Sequence, residues 1–253
     1  MRRYLEFIGN IGQFALHAAR RAMVPPFELR MILEQIDATG WESLPLVLSS
    51  GFALGLVWAL HTRSTLTQFG AVALMPTVLS LAFFNEVGPL VAGLLVAGRV
   101  GAGIGAELAN MRVAEQIDAI EVLSVDSFKL LVVPRIIACA VSLPILTIFL
   151  DVAGLTGGFL AERVNTHISV QLYIFHAFNT LTWVTVIPPT LKTVIYGAII
   201  GLISSYFGYT TNAGADGVRR AATNSVVISS LAVILIDVVL VKSIFFLFPE
   251  SAI

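Results

Sequence analysis

Charge is scarce in this chain, cysteine is nearly absent, and no familiar catalytic signature is present. Of 253 residues only 12% are charged, against about 25% in a soluble globular chain. That shortage argues against a water-soluble fold. The single cysteine, Cys139, lies in an apolar run, which excludes an intrachain disulfide and reads as a small core residue. The string G-x-x-x-x-G-K-[ST] occurs nowhere, so the chain carries no phosphate loop of its own. H-E-x-x-H and G-x-S-x-G are also missing, and His17, His61, His167 and His176 are scattered. A metalloenzyme or a hydrolase is therefore poorly supported, and no catalytic residue, metal ligand or bound cofactor is expected. The net charge of −1 gives no sign of nucleic-acid binding. The first 22 residues are too polar and too interrupted for a secretory leader.

Apolar residues fill the gap. They make up 57% of the chain, and the mean hydropathy is +0.89. An all-α polytopic membrane protein follows, because a bilayer admits backbone only as helices or closed barrels. A span needs about 20 mostly apolar residues. Five stretches qualify, at 43–60, 70–97, 130–155, 189–209 and 222–248. Pro76, Pro89, Pro134 and Pro144 fall inside them and are tolerated where neighbouring helices re-satisfy the freed backbone. One membrane domain over 43–248, preceded by surface helices over 1–40, accounts for the whole chain.

Basic residues orient it. Arg2, Arg3, Arg20, Arg21, Arg30, Arg99, Arg112, Lys129, Arg135, Arg219 and Arg220 fall on one side, and Arg63 and Arg163 on the other. Lys192 and Lys242 lie within spans. The rich side is expected to be cytoplasmic, and the C-terminus is expected on the far side. Before the first span, Tyr4, Phe7, Ile8, Ile11, Phe14, Ala15 and Ala18 recur at helical spacing between basic pairs. This predicts an amphipathic helix in the membrane interface, broken by Pro25 and Pro26 and followed by a second helix over 27–37. The segment 162–183 suits either an interfacial helix on the far face or a re-entrant element.

Three ionisable groups lie deep in spans: Glu86, Lys192 and Asp237. A lone charge in hydrocarbon costs roughly 2.5–3.5 kcal/mol on insertion scales. Lys192 is therefore expected to pair with Glu86 or Asp237, a choice that spacing leaves open. Glu86 follows Asn85 and precedes Gly88-Pro89, and Pro89 withholds one backbone donor beside it. Two readings stand side by side: a polar group facing a central cavity, or a structural ion pair between helices. Asp151, near a span end, is expected to snorkel to the interface.

Gly98, Gly101, Gly103 and Gly105 make the next stretch thin, which suits close helix packing, including packing across a dimer axis. A polar insert follows. Val113, Ile117 and Ile120 are spaced as one apolar stripe of a helix over 112–123, and Glu115, Asp118 and Glu121 lie near another face. A solvated loop helix is the bland reading. A docking knob for a soluble partner also explains the stripe.

The string EVGPLVAGLLVAGRVGAGIGAELANMRVAEQIDAIEVLSVD, 86–126, resembles the signature of the MlaE-type permeases of MCE transport systems. PRIIACAVSLPIL at 134–146, LKTVIYGAIIG at 191–201 and GADGVRRAATNSVVISSLAVILIDVVL at 214–240 extend the likeness over essentially the whole chain. The resemblance implies a multi-pass inner-membrane permease, working as a homodimer in an ABC transporter. A separate cytoplasmic ATPase would carry ATP and Mg²⁺. It would grip a coupling helix at about 114–122, including Glu115, Gln116, Asp118, Ala119 and Glu121. An MCE-domain hexamer would sit on the far side, and a STAS-domain protein can join the ATPase. The cargo would be phospholipid or a related lipid, moved between inner and outer membranes. By motif, Glu86, Lys192 and Asp237, with Asn85 beside them, correspond to polar residues of the lipid cavity. Members can carry Arg immediately before the Glu, where this chain has Asn85. The rival is a secondary transporter or channel with an intramembrane carboxylate site.

Overall fold

A computed structural model describes residues 2–23, 29–166, 168–212 and 214–247. The expected break at Pro25 and Pro26, the start of the second helix at Phe27, His167 and the end of the last span at Phe248 lie outside them, as do the side chains of Tyr4, Phe7 and Ile8. Among the described residues there is no strand. The helices are α1 (Arg2–Ala22), α2 (Leu29–Gly40), α3 (Leu44–Gln68), α4 (Met75–Ala82), α5 (Gly88–Val96), α6 (Ala102–Val113), α7 (Gln116–Val122), α8 (Val133–Thr166), α9 (Val170–Phe178), α10 (Trp183–Tyr209) and α11 (Gly214–Leu247).

Five helical stretches are long and apolar enough to cross a membrane: Leu29–Gln68, Val72–Val113, Phe128–Val164, Trp183–Tyr209 and Gly214–Ile244. The protein is an all-α polytopic membrane protein. The helices outrun the apolar windows of the sequence because helix geometry continues into the polar zone after hydrophobicity ends. The glycine-rich stretch is accordingly the continuation of the second span rather than a separate helix.

That span is kept continuous by two wide turns of π-helix, Phe83–Val87 and Ala97–Gly101; a third, Phe128–Val132, opens the third span. The first and third each end one residue before an X-Pro pair, Gly88-Pro89 and Val133-Pro134. A proline gives no N–H to the carbonyl four residues back. The helix then takes the wider bond, in which Gly88 N–H donates to Phe83 C=O and Val133 N–H to Phe128 C=O.

The described residues gather into two compact units, each assembled from three chain segments. One comprises Ser43–Leu95, Pro144–Thr193 and Ile236–Ile253. Here α3 crosses α8 closely: a Cβ on Gly55 would overlap the backbone of Gly154, and one on Gly154 would overlap the ring of Phe83. Arg63 Nη1 donates to both carboxylate oxygens of Glu162, at 2.9 and 2.8 Å, tying α3 to α8. Nine residues are too few to span, so α9 lies as a short helix. The Tyr173 hydroxyl donates to Leu155 C=O at 3.1 Å and the Thr77 hydroxyl to His176 C=O at 2.9 Å, while Leu172, Phe175 and Phe178 stay exposed. Asp151 does not snorkel. It is fully buried, because α8 runs on to Thr166, and it fills the space above Gly88 that any Cβ there would need.

The other unit comprises Met1–Glu42, Val96–Leu143 and Val194–Leu235. α1 is amphipathic as expected, but it also packs on protein: Phe14 and Ala18 are buried with Val132 against Phe128, Ile136, Leu202, Tyr206 and Tyr209. Gly101 faces Ser204 and Ser229, and Gly105 faces Ser225. Gly98 has nothing within 4 Å of where its Cβ would sit, because the π turn rotates it off the stripe.

Gly55→Ala is expected to cost about 1–3 kcal/mol, since backbone cannot yield as a side chain can. Gly98→Ala is expected to stay within about 0.5 kcal/mol for the protomer. Thermal unfolding of the two variants in detergent measures the difference.

Candidate functional site

Lys192 stands on α10, four residues after Pro188 and three after Pro189. Those prolines leave the carbonyls of Val184 and Thr185 without helical donors, and the chain spends hydroxyls nearby: Thr190 donates to Val186 C=O at 2.7 Å and Thr193 to Thr190 C=O at 2.6 Å. The ammonium itself is buried and donates to two carboxylates. Nζ lies 2.8 Å from Glu86 Oε2 and 2.9 Å from Asp237 Oδ1. Glu86 comes from the π turn before Pro89 and Asp237 from the middle of α11, so three separate spans meet at one nitrogen. The sequence left a choice of partner, and the structure uses both.

The cluster is unequal. The side chains of Lys192 and Asp237 are 2% and 8% exposed, whereas that of Glu86 is 42% exposed. Glu86 opens onto a cavity of about 300 Å³ lined by Asn85, Glu86, Val184, Pro189, Lys192, Val241 and Ile244. Four of those side chains are apolar. Two carboxylates share one ammonium, and Glu86 is the carboxylate that faces the opening. A group cradled so can take a cation, a hydrogen-bond donor or water.

The polar insert is smaller than the spacing suggests. Glu115 adopts a left-handed backbone, φ 58°, so α6 ends at Val113 and a new helix, α7, starts at Gln116. Helical register is lost between them. Val113 is therefore exposed and outside the stripe, Ile117 is fully buried and Ile120 is half-buried. Gln116, Asp118 and Ala119 are exposed, as is Glu115 at the turn. The acidic face is not uniformly free. Asp118 pairs with Arg112, while Glu121 accepts hydrogen bonds at 2.8 Å from the hydroxyls of Tyr209 and Ser127. Those bonds, Tyr209 first, hold the Glu121 carboxyl below the usual carboxylate range. The largest apolar exposures beside α7 are Val122 at 84% and Leu123 at 75%. Spacing gave no sign of them, because they follow the periodic part of the insert.

Lys192→Met leaves two carboxylates facing each other without a cation. Breaking a buried pair in this way is expected to cost about 3–5 kcal/mol, read as a lower melting temperature and a lower level in the membrane. Adding Glu86→Gln and Asp237→Asn should recover most of that loss. Equal losses in the single and triple variants would show that the contribution of Lys192 is not electrostatic.

The family model for Permease MlaE matches residues 32–242. A probable ABC transporter permease protein of Rickettsia felis is 40% identical over 244 residues, covering 96% of this chain and 94% of the relative. A probable ABC transporter permease protein of Synechocystis is 34% identical over 222 residues, 88% of this chain and 83% of the relative. Protein TRIGALACTOSYLDIACYLGLYCEROL 1, chloroplastic, of Arabidopsis thaliana is 34% identical over 217 residues, 86% of this chain and 62% of the relative. Five apolar helices, the intramembrane Lys192 cluster and a match along most of the chain converge: the protein belongs to the MlaE permease family.

Proposed function

We propose that this chain is the membrane-embedded half of an ABC transporter that moves phospholipid or a related lipid between inner and outer membranes. The observation that carries the reading is Glu86, a carboxylate 42% exposed at a largely apolar cavity within a span. Bare hydrocarbon does not tolerate such a group, but a path shared by acyl chains and a polar headgroup does. The name of the Arabidopsis relative contains that of a galactolipid, which supports a lipid cargo. Asn85, Glu86 and Lys192 then meet the headgroup, with Asp237 holding Lys192 from behind, while Val184, Val241 and Ile244 meet the chains.

Power comes from outside the chain in this reading. A cytoplasmic ATPase carrying ATP and Mg²⁺ grips α7 and the turn before it, through Glu115, Gln116, Asp118 and Ala119. The exposed Val122 and Leu123 supply apolar area for the contact. Glu121, exposed beside them, is tied to Tyr209 and Ser127. Two copies of the permease form the working unit. On α11, Val227, Leu231, Leu235 and Val238 are 48%, 53%, 70% and 66% exposed along one stripe, which suits a second copy or lipid. An MCE-domain hexamer receives lipid on the far side, and a STAS-domain subunit can bind the ATPase. The basic face, with Arg99, Arg112 and Arg219, is cytoplasmic, and the membrane is the inner one. Lipid moves because its affinity differs between two states that nucleotide interconverts.

The test is purification of the native complex and its reconstitution in vesicles. A co-purifying ATPase, hydrolysis stimulated by lipid, and nucleotide-dependent transfer of a fluorescent phospholipid to acceptor vesicles are the expected results. Uphill solute transport by this chain alone would overturn the reading in favour of a secondary transporter. Within the complex, Asp118→Lys also places a cation against Arg112. It is expected to weaken ATPase co-purification about tenfold or more while insertion into the membrane is unchanged.

A further inference from the structure

A helix of seven residues cannot hold its own shape or direction in water. α7 must therefore be aimed by its tethers. Covalently it joins the second span through Ala114-Glu115 and the third through residues 123–127. It has no covalent neighbour on α10. Its link to α10 is polar: the Tyr209 hydroxyl, at the last residue of that span, lies 2.8 Å from Glu121 Oε1 and 2.8 Å from the Ser127 hydroxyl, which is itself 2.8 Å from the same carboxylate oxygen. Two hydroxyl protons and one anion satisfy this triangle, with both hydroxyls donating to the carboxylate.

The ring beneath the hydroxyl is held as firmly. Phe128 packs against it with centroids 5.0 Å apart, Phe14 of α1 at 6.1 Å, and the Arg112 guanidinium lies over it at 5.9 Å. Arg112 also pairs with Asp118 at the other end of α7. The aromatic platform thus fixes where the Tyr209 oxygen sits, and the oxygen fixes Glu121.

We infer that Tyr209 is a positioning residue that carries displacement of α7 into α10, the span that bears Lys192. This rests on the proposed role of α7 as the grip for an ATPase, and it assigns Glu121 to transmission rather than to the docking surface. Removing the hydroxyl leaves α7 tied by Arg112–Asp118 and Ser127–Glu121. The helix can still be gripped, but its motion slips past α10.

Tyr209→Phe is the test, because it deletes one oxygen and keeps the ring. The wild-type and variant complexes are reconstituted in vesicles of phosphatidylethanolamine and phosphatidylglycerol with a fluorescent phospholipid, and lipid transferred per ATP hydrolysed is measured. The ratio is expected to fall about tenfold, the weight of one charge-assisted hydrogen bond, with ATPase co-purification and hydrolysis retained. Glu121→Gln keeps an acceptor oxygen but gives up the charge, and its ratio should fall between those of wild type and Tyr209→Phe. An unchanged ratio in Tyr209→Phe overturns the inference. So does loss of co-purification in step with transport, which would make the hydroxyl part of docking, and so does failure of the variant to accumulate, which would make it part of folding. A wild-type complex that neither retains an ATPase nor transfers lipid sinks the permease reading itself, a different result from any of these.

Discussion

The intramembrane Lys192 cluster answers to one constraint: a charge in hydrocarbon must find its opposite. Lys192 meets that demand by reaching two carboxylates from two other spans. The bond count matters more than the bond strength. An ammonium with one partner would tie two helices; with two it ties three, and it fixes the register of α10 against α11 and against the π turn that carries Glu86. Desolvation offsets much of the Coulombic gain, so what the cluster chiefly provides is uniqueness of arrangement. Helix packing by shape alone, as at Gly55 and Gly154, leaves register less strictly determined.

The cluster and its cavity depend on backbone irregularity. Pro89 and the Pro188-Pro189 pair withhold donors on two of the contributing helices, and the wide turn at Phe83–Val87 rotates Glu86 relative to a straight helix. In lipid such irregularity is tolerated where neighbouring helices and hydroxyl side chains re-satisfy freed backbone groups. The same device recurs at Phe128–Val132, beneath the aromatic cluster of Phe14, Phe128 and Tyr209. Irregular helix therefore accompanies both the Lys192 cluster and the contact of Tyr209 with Glu121 and Ser127.

Much of this was legible from sequence, for identifiable reasons. Hydropathy finds spans because the bilayer is thick and uniform, and all five were visible in outline. Their ends were not, since helices continue into the polar zone where hydropathy falls silent. That Lys192 needed a carboxylate followed from insertion cost, but the choice between Glu86 and Asp237 needed three dimensions. Periodicity overstates the extent of α7 because it ignores backbone: Val113 and Ile117 are correctly spaced for one face, yet the left-handed residue Glu115 separates them. Spacing groups Glu121 with Asp118 and Glu115, whereas hydrogen bonds tie the exposed Glu121 carboxylate to Tyr209 and Ser127. Hydropathy ends the third span near 155 and so puts Asp151 at an interface, whereas the helix runs on and buries it. Pro89 and Pro134, each two residues beyond a wide turn, were the available signal for irregular helix.

Asp151 and Gly88 share one volume. The carboxylate occupies the place where any larger residue at 88 would put its first carbon. The two sites are therefore not free to drift separately over generations. A lineage that acquires a methyl at the glycine must first, or at once, shorten the acid. Descendants should show the pair changing in tandem or standing still together.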